Sequence, residues 1–346
     1  FAVARALERG ELRGGAAAIL AAAWGHVASR GVVRPVSLPA GRRVIAVGGA
    51  TLGGSGKTPL AIACAVEIAA AGGRVAFVGH AYRAAPRGAR VVEEGDALRE
   101  VGDEALLAAR ALGGIGVPVI VAPRRAESMA LAAQLARVLV VDGVAQTRPA
   151  RASLALLAVD AEEPWGRAGS VPPLGDLRAP KEALLAACDR VVAVGDGAGD
   201  DARVVSRGAW YRGALRPWAE LRPARVGLLC ALARPERVVR QLARRGVSLV
   251  SVVRARDHGP FGRPALAAAA RARVDVWLAT PKCALHLHEF AALPVAVLDH
   301  GVALSAPLRA MCRSLAHAPE GEGYPLERMS LPSDMSGGVA SSSGAP

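Results

Sequence analysis

The chain has 346 residues, 52% of them hydrophobic and only 3% aromatic, enough apolar content for one large or two moderate cores built from alanine, valine and leucine. Forty-three Lys+Arg against 30 Asp+Glu leave a formal charge of +13, read either as attraction to an anionic partner or as a general preference for arginine. Five widely spaced cysteines without a Cys-x-x-Cys pair exclude a disulfide framework or zinc ribbon, and without aromatic platforms or a reading module nucleic acid is not an expected partner.

Residues 1–40 form a first segment. Its helical stretch, residues 3–30, has an uncharged core from about Gly14 to Gly25, short of the roughly 20 residues that span a bilayer. Two readings stay open: an amphipathic helix lying in a membrane interface with Trp24 at its boundary, or an ordinary packed helix.

Residues 44–59 read VIAVGGATLGGSGKTP, an apolar strand breaking into glycines and ending in Gly-Lys-Thr-Pro. This is a phosphate-binding loop in outline. Gly53, Gly54, Ser55 and Gly56 let consecutive backbone N–H groups point at phosphate oxygens, Lys57 reaches the β and γ phosphates, and the Thr58 hydroxyl can ligate Mg²⁺. A helix starting there adds its positive dipole end beneath the anion. The strict Gly-x4-Gly-Lys-Thr pattern places glycine at 51, where this chain has Thr51; strand before and helix after supply the context the motif needs. Lys57 is also one of only three lysines, with Lys181 and Lys282, in a chain that otherwise uses arginine.

Further along, apolar runs alternate with helical stretches: strand 74–80, helix 103–112, strand 117–123, helix 126–136 and strand 138–141. The succession predicts an α/β fold of P-loop NTPase type, a mostly parallel sheet with helices on both faces and ligands at the strands' carboxyl ends. Asp142 closes the last of these strands, where a carboxylate holds Mg²⁺ or only caps a turn. Asp103, at a helix start, reads equally as an N-cap or as a catalytic carboxylate. A Pro/Gly-rich stretch, 160–180, reads as a connection between lobes. We therefore place a P-loop domain at 41–160, a second, smaller α/β lobe at 161–317 and a Gly/Ser/Pro-rich, disordered tail at 318–346. Cys283, His286 and His288 stand close together, but no second ligand pair accompanies them, and they are not read as a metal site.

The order of motifs resembles the tetraacyldisaccharide 4′-kinases of lipid A biosynthesis. Their Gly-Gly-Thr-Gly-Lys-Thr-Pro loop is matched by Gly53 to Pro59, their Gly-Asp-Glu by Gly102, Asp103 and Glu104, and their Asp-Asp-Gly-Phe-Gln by Val141 to Gln146. Their Pro-x-Gly-x-Leu-Arg-Glu linker is similar to residues 173–179, and their Ala-Arg-Pro, Asp-His-His and Thr-Glu-Lys-Asp elements to Ala233-Arg234-Pro235, Asp257-His258 and Thr280 to Cys283. Departures are Val141 for the first paired Asp, Gly259 for the second His, Pro281 for Glu, Cys283 for Asp, and Gly79-His80-Ala81-Tyr82 for Ser-Arg-Gly-Tyr.

The resemblance implies an ATP- and Mg²⁺-dependent kinase that phosphorylates the 4′-hydroxyl of a lipid-anchored disaccharide 1-phosphate, peripheral at the cytoplasmic face of the bacterial inner membrane and in contact with its anionic surface. No protein partner is identifiable. It implies catalytic roles for Lys57, Asp103 as base and His258 as its tuning partner, Mg²⁺ at Thr58 and Asp142, and substrate contacts from Gln146, Arg178 and Lys282. Arg178 and Lys282 read equally as structural braces. Rival readings are a P-loop protein or kinase paralogue that binds nucleotide to regulate without transferring phosphate, and a basic nucleic-acid-binding NTPase.

Overall fold

The computed structural model describes residues 6, 12–32, 36–144, 152–166, 168–255, 259–287 and 293–317. Gln146, His258, His288 and the tail expected to be disordered lie outside the described residues.

Helix α1 (Gly15–Val32) precedes strand β1 (Arg43–Gly49), the loop 50–56 and helix α2 (Lys57–Ala70). There follow β2 (Val75–Val78), β3 (Arg90–Val91), α3 (Asp103–Leu112), β4 (Val119–Val121), α4 (Arg125–Leu135), β5 (Val138–Asp142), β6 (Leu154–Asp160), α5 (Lys181–Ala186), β7 (Arg190–Gly195) and β8 (Ala202–Val205). The chain then enters a second layer with β9 (Gly208–Tyr211), β10 (Ala214–Pro217), β11 (Val226–Cys230), α6 (Pro235–Arg244), β12 (Leu249–Arg254), α7 (Arg263–Arg271), β13 (Val276–Ala279) and β14 (Val295–Leu298). It returns through β15 (Gly301–Leu304) and α8 (Ala306–His317).

The first sheet runs β15-β8-β7-β6-β1-β5-β2-β4-β3. It is parallel from β8 to β4, with antiparallel pairs only at its edges, β15 on β8 and β3 on β4. Strands β1, β5 and β6 are buried at every residue, as an unbroken apolar run requires when helices cover both faces. Strand alternation then sorts the side chains. Ile45, Val47 and Val140 pack with residues of α2, α3 and α8 on one face, while Val44, Ala46 and Val141 pack with Met129 and Ala132 of α4 on the other. Ile45, Leu60, Ile68 and Phe77 are fully buried, each worth about 1.5–3 kcal/mol relative to exposure. The loop between β1 and α2 thus stands on a firmly packed base.

The second sheet, β10-β9-β14-β13-β11-β12, has a parallel centre formed by β12, β11, β13 and β14. Its membership corrects the boundary expected at 160/161. Strands β7, β8 and β15 belong to the first sheet, and Leu308, Cys312 and Leu315 of α8 pack in the same core as α2. The second lobe is therefore an insertion bounded by β8 and β15. The stretch 160–180, expected to join the lobes, stays on the first: Thr51 bridges Leu177, and Val171, Leu177 and Ala179 bury beside α1. Its prolines and glycines signalled irregular backbone, and irregular backbone does not say which body it covers.

Candidate active site

Gly48 and Gly49 end β1, and the chain curls over residues 50–56 into α2. Gly54 (φ +77°) and Gly56 (φ +80°) are left-handed, a region that costs any side-chain-bearing residue. A Cβ on Gly54 would also meet the Arg234 side chain at 2.9 Å. Thr51, where the strict pattern has glycine, is not left-handed. It is buried, and its hydroxyl donates to the Gly53 carbonyl at 2.8 Å, closing the loop.

Lys57 and Thr58 open α2 and meet Asp142 at the end of β5. The Thr58 hydroxyl donates to Asp142 Oδ2 at 2.6 Å, and Lys57 Nζ lies 3.8 Å from the same oxygen. Glu104, one residue into α3, receives the ammonium at 2.8 and 2.9 Å on its two oxygens. Burial pulls the Lys57 ammonium toward losing its proton, but Asp142 and Glu104 outweigh it, and its pKa ends above the usual lysine value. Burial pushes the Asp142 carboxyl up, and Glu104 adds to this against Lys57 and Thr58. Asp142 Oδ1 is buried with no hydrogen-bond partner. An unsatisfied carboxylate oxygen beside a threonine hydroxyl suits a hard cation with oxygen ligands such as Mg²⁺.

Val141 is 1% exposed and points to the opposite face, among the α4 residues. A carboxylate there would not share the Thr58 side of the sheet. The valine therefore leaves the Lys57, Thr58 and Asp142 cluster intact.

Asp103 is the first residue of α3, not its cap. The cap is Gly102, at φ +85°, a glycine with no side chain of its own to cap the helix. The Asp103 side chain, 5% exposed, instead faces the second lobe. Lys282 Nζ stands 3.7 Å and His286 Nε2 3.5 Å from Asp103 Oδ2, and Lys282 is 3.9 Å from Glu104. Glu104 thereby links Lys57 to Lys282, and the loop cluster to Asp103.

Arg178 donates Nε to the Thr51 carbonyl at 3.0 Å and Nη2 to that of Leu52 at 3.4 Å, so it braces the loop. From the second lobe, Arg237 donates to the Gly54 carbonyl at 3.0 Å, and Arg234 pairs with Asp176. Arg125 holds the Asp142 carbonyl at 2.7 Å. Glu104, Arg125, Arg237 and His286 were not among the residues expected from sequence. Glu104 stood beside Asp103 in the Gly-Asp-Glu match and His286 lies four residues after Lys282, but nothing local shows which way either turns.

Replacing Asp142 with asparagine is expected to raise the thermal midpoint of the ligand-free protein by about 2–4 °C for each kcal/mol of burial cost relieved. The sign follows from its raised carboxyl: folding disfavours the charged form, so the charge costs stability at neutral pH. The same change is expected to remove the Mg²⁺-dependent part of stabilisation by ATP. Differential scanning fluorimetry with and without MgATP reads both effects.

A glycine loop between a buried parallel strand and a helix, with lysine and threonine at the helix start and a strand-end carboxylate opposite, defines a P-loop protein built to handle nucleotide phosphates. Residues 16–316 match the tetraacyldisaccharide-1-P 4′-kinase family, and the chain belongs to that family. Similar relatives include a tetraacyldisaccharide 4′-kinase from Methylobacterium radiotolerans, 35% identical over 87% of this chain and 94% of the relative. Another, from Anaeromyxobacter dehalogenans, is 35% identical over 70% of this chain and 69% of its own length. The fold is also that of LpxK from Aquifex aeolicus, crystallised in complex with ATP, with a TM-score of 0.63 at 20% identity over 87% of this chain and 98% of that one.

Proposed function

We propose that the protein transfers the γ-phosphoryl group of ATP to the 4′-hydroxyl of a tetraacyldisaccharide 1-phosphate, giving lipid IVA and ADP. One observation carries the reading beyond nucleotide binding: Glu104 joins the loop lysine to Lys282, which also faces a buried carboxylate, Asp103. A protein that only bound nucleotide would have no use for a base beside its phosphate loop.

Phosphoryl transfer asks chiefly for positioning and charge neutralisation. The loop amides and Lys57 hold the nucleotide's phosphates, with the ammonium passing from Glu104 to phosphate oxygens. Thr58 and Asp142 are the residues to hold Mg²⁺, which supplies charge neutralisation when bound. Asp103 accepts the proton of the sugar hydroxyl as that oxygen forms its bond to phosphorus and the bond to the ADP oxygen breaks. Lys282 and Arg178 are cations placed beside this path. Transfer of label from γ-labelled ATP to the disaccharide lipid tests the assignment. Absence of labelled lipid with MgATP bound would leave a nucleotide-binding regulator instead.

The acceptor is lipid-anchored, and α1 offers a surface for it. The helix buries Ala21, Gly25 and Val32 and leaves Ile19 72%, Leu20 61% and Val27 59% exposed, with Trp24 at 48%. No helix among the described residues is long and apolar enough to cross a membrane. An interfacial helix of this kind, on a chain of net charge +13, binds by apolar insertion plus attraction to anionic lipid. The protein would then work as a peripheral enzyme at the cytoplasmic face of the inner membrane. Co-sedimentation with anionic vesicles is expected to exceed that with neutral ones and to drop several-fold in Ile19→Asp/Trp24→Asp. Equal sedimentation of this variant and the unaltered protein would remove α1 as the contact.

A further inference from the structure

Three consecutive carbonyls of the phosphate loop are each held by a side chain from a different part of the fold. The Leu52 carbonyl accepts from Arg178 Nη2 at 3.4 Å, that of Gly53 from the Thr51 hydroxyl at 2.8 Å, and that of Gly54 from Arg237 Nη1 at 3.0 Å. The peptide bonds of this loop are trans, so in each unit the N–H points away from its carbonyl. Fixing these carbonyls therefore turns the N–H groups of Gly53, Gly54 and Ser55 away from the three side chains, as an anion cradle requires. Glycine makes the restraint necessary. Gly53 and Gly54 accept either sign of φ, and nothing within the loop itself stops a peptide from turning its carbonyl toward the phosphates.

Thr51 and Arg178 belong to the first lobe, whereas Arg237, the third residue of α6, comes from the second. Its guanidinium spans several acceptors: besides Gly54, Nη2 donates to the Val194 carbonyl of β7, and Nη1 lies 3.3 Å from Asp160 Oδ2 at the end of β6. The other Asp160 oxygen takes the Glu162 N–H at 2.9 Å, which fixes the carboxylate. Val194 also packs against the loop, since a Cβ on Gly56 would meet its Cγ1 at 2.7 Å. A planar fork of donors serves such divergent acceptors together, where an ammonium would act as a point charge.

We propose that Arg237 is a positioning residue for the nucleotide: by holding the Gly54 carbonyl outward it presents the Ser55 N–H to the phosphates, so that the second lobe completes the cradle of the first. An N–H aimed before the ligand arrives needs no reorganisation when it binds. The inference rests on the reading of the loop as the ATP site.

Isothermal titration with ATP and steady-state kinetics test it on the unaltered protein, Arg237→Ala, Arg237→Lys and Arg240→Ala. Arg240 lies on the same helix but pairs with Glu162, at 2.7 Å, so its removal breaks an ion pair between the lobes without touching the loop. Arg237→Ala is expected to weaken ATP binding about 10- to 100-fold, the scale of a hydrogen bond to a charged group. KM for ATP should rise with it while kcat and KM for lipid stay within about threefold, because the contact is lost from ground and transition states alike. Arg237→Lys keeps a charge beside Asp160 without the fork and should weaken ATP binding about three- to tenfold; it carries the test if the alanine variant does not fold. Arg240→Ala should stay within about twofold of the unaltered protein in ATP affinity, as a half-exposed ion pair implies.

Unchanged ATP affinity in Arg237→Ala, or in Arg237→Lys where the alanine variant does not fold, would overturn the proposal. So would a rise in lipid KM as large as that for ATP, or an equal loss of ATP affinity in Arg240→Ala. ATP binding by the unaltered protein without labelled lipid would defeat the transfer reading alone. Labelled lipid together with unchanged ATP affinity in Arg237→Ala would defeat this proposal alone.

Discussion

Lys57→Met is expected to lower kcat/KM for phosphoryl transfer by about three orders of magnitude or more, the scale at which a single cation on a transferring phosphoryl group is worth in related chemistry. Methionine keeps the unbranched stem and the helix start, so the loss isolates the ammonium. That ammonium lies against both oxygens of Glu104 and 3.8 Å from Asp142. Removing it leaves two carboxylates facing one another in a site where Lys57 is 16% and Asp142 1% exposed. Breaking a buried pair by deleting one partner costs about 3–5 kcal/mol, with Arg125 and Lys282 close enough to offset part of it. The thermal midpoint should therefore fall by several degrees, and stabilisation by ATP should vanish. Steady-state kinetics and scanning fluorimetry measure the two effects separately. Activity within tenfold of the unaltered protein would remove Lys57 from the reaction.

Asp103→Asn should lower kcat by about 10²- to 10⁴-fold while ATP binding stays intact. The asparagine amide fills the same volume at the start of α3 but cannot take a proton from the sugar hydroxyl. Gly102, not Asp103, occupies the cap position of the helix, so the change spares the cap. This distinguishes the carboxylate's two readings: a helix-start residue would cost a few tenths to 1 kcal/mol of stability and little activity. Isothermal titration with ATP beside single-turnover phosphorylation decides it, and full activity in the variant would remove the base.

Local rules made part of this molecule legible. The run from Val44 into Gly-Lys-Thr announces strand, anion loop and helix because each step rests on neighbouring residues. Helix α3 spans 103–112 as expected from its pattern. Asp142 was marked by its place at a strand end, and Thr51 was tolerable because its position needs no left-handed backbone. Alternation along β5 sets Val141 and Asp142 on opposite faces, but only the packing of α2 on one face and α4 on the other says which face carries the chemistry.

The remainder depends on contacts between residues far apart in the chain. Strand β15 lies about a hundred residues from β8, its antiparallel partner, and no periodicity in either segment encodes that pairing. In chain order the second lobe looks like a continuation of the first, whereas it is an insertion between β8 and β15. The placement of Glu104, Arg237 and His286 is hidden in the sequence for the same reason: their partners are Lys57, Gly54 and Asp103, brought near only when the sheets close on each other. Residue identity and spacing determined that this chain carries a phosphate loop, a strand-end acid and the ordered motifs of a lipid-sugar kinase. The tertiary structure decided which side chains meet there, because hydrogen bonds and charge pairs act over a few ångströms of space and take no account of distance along the chain.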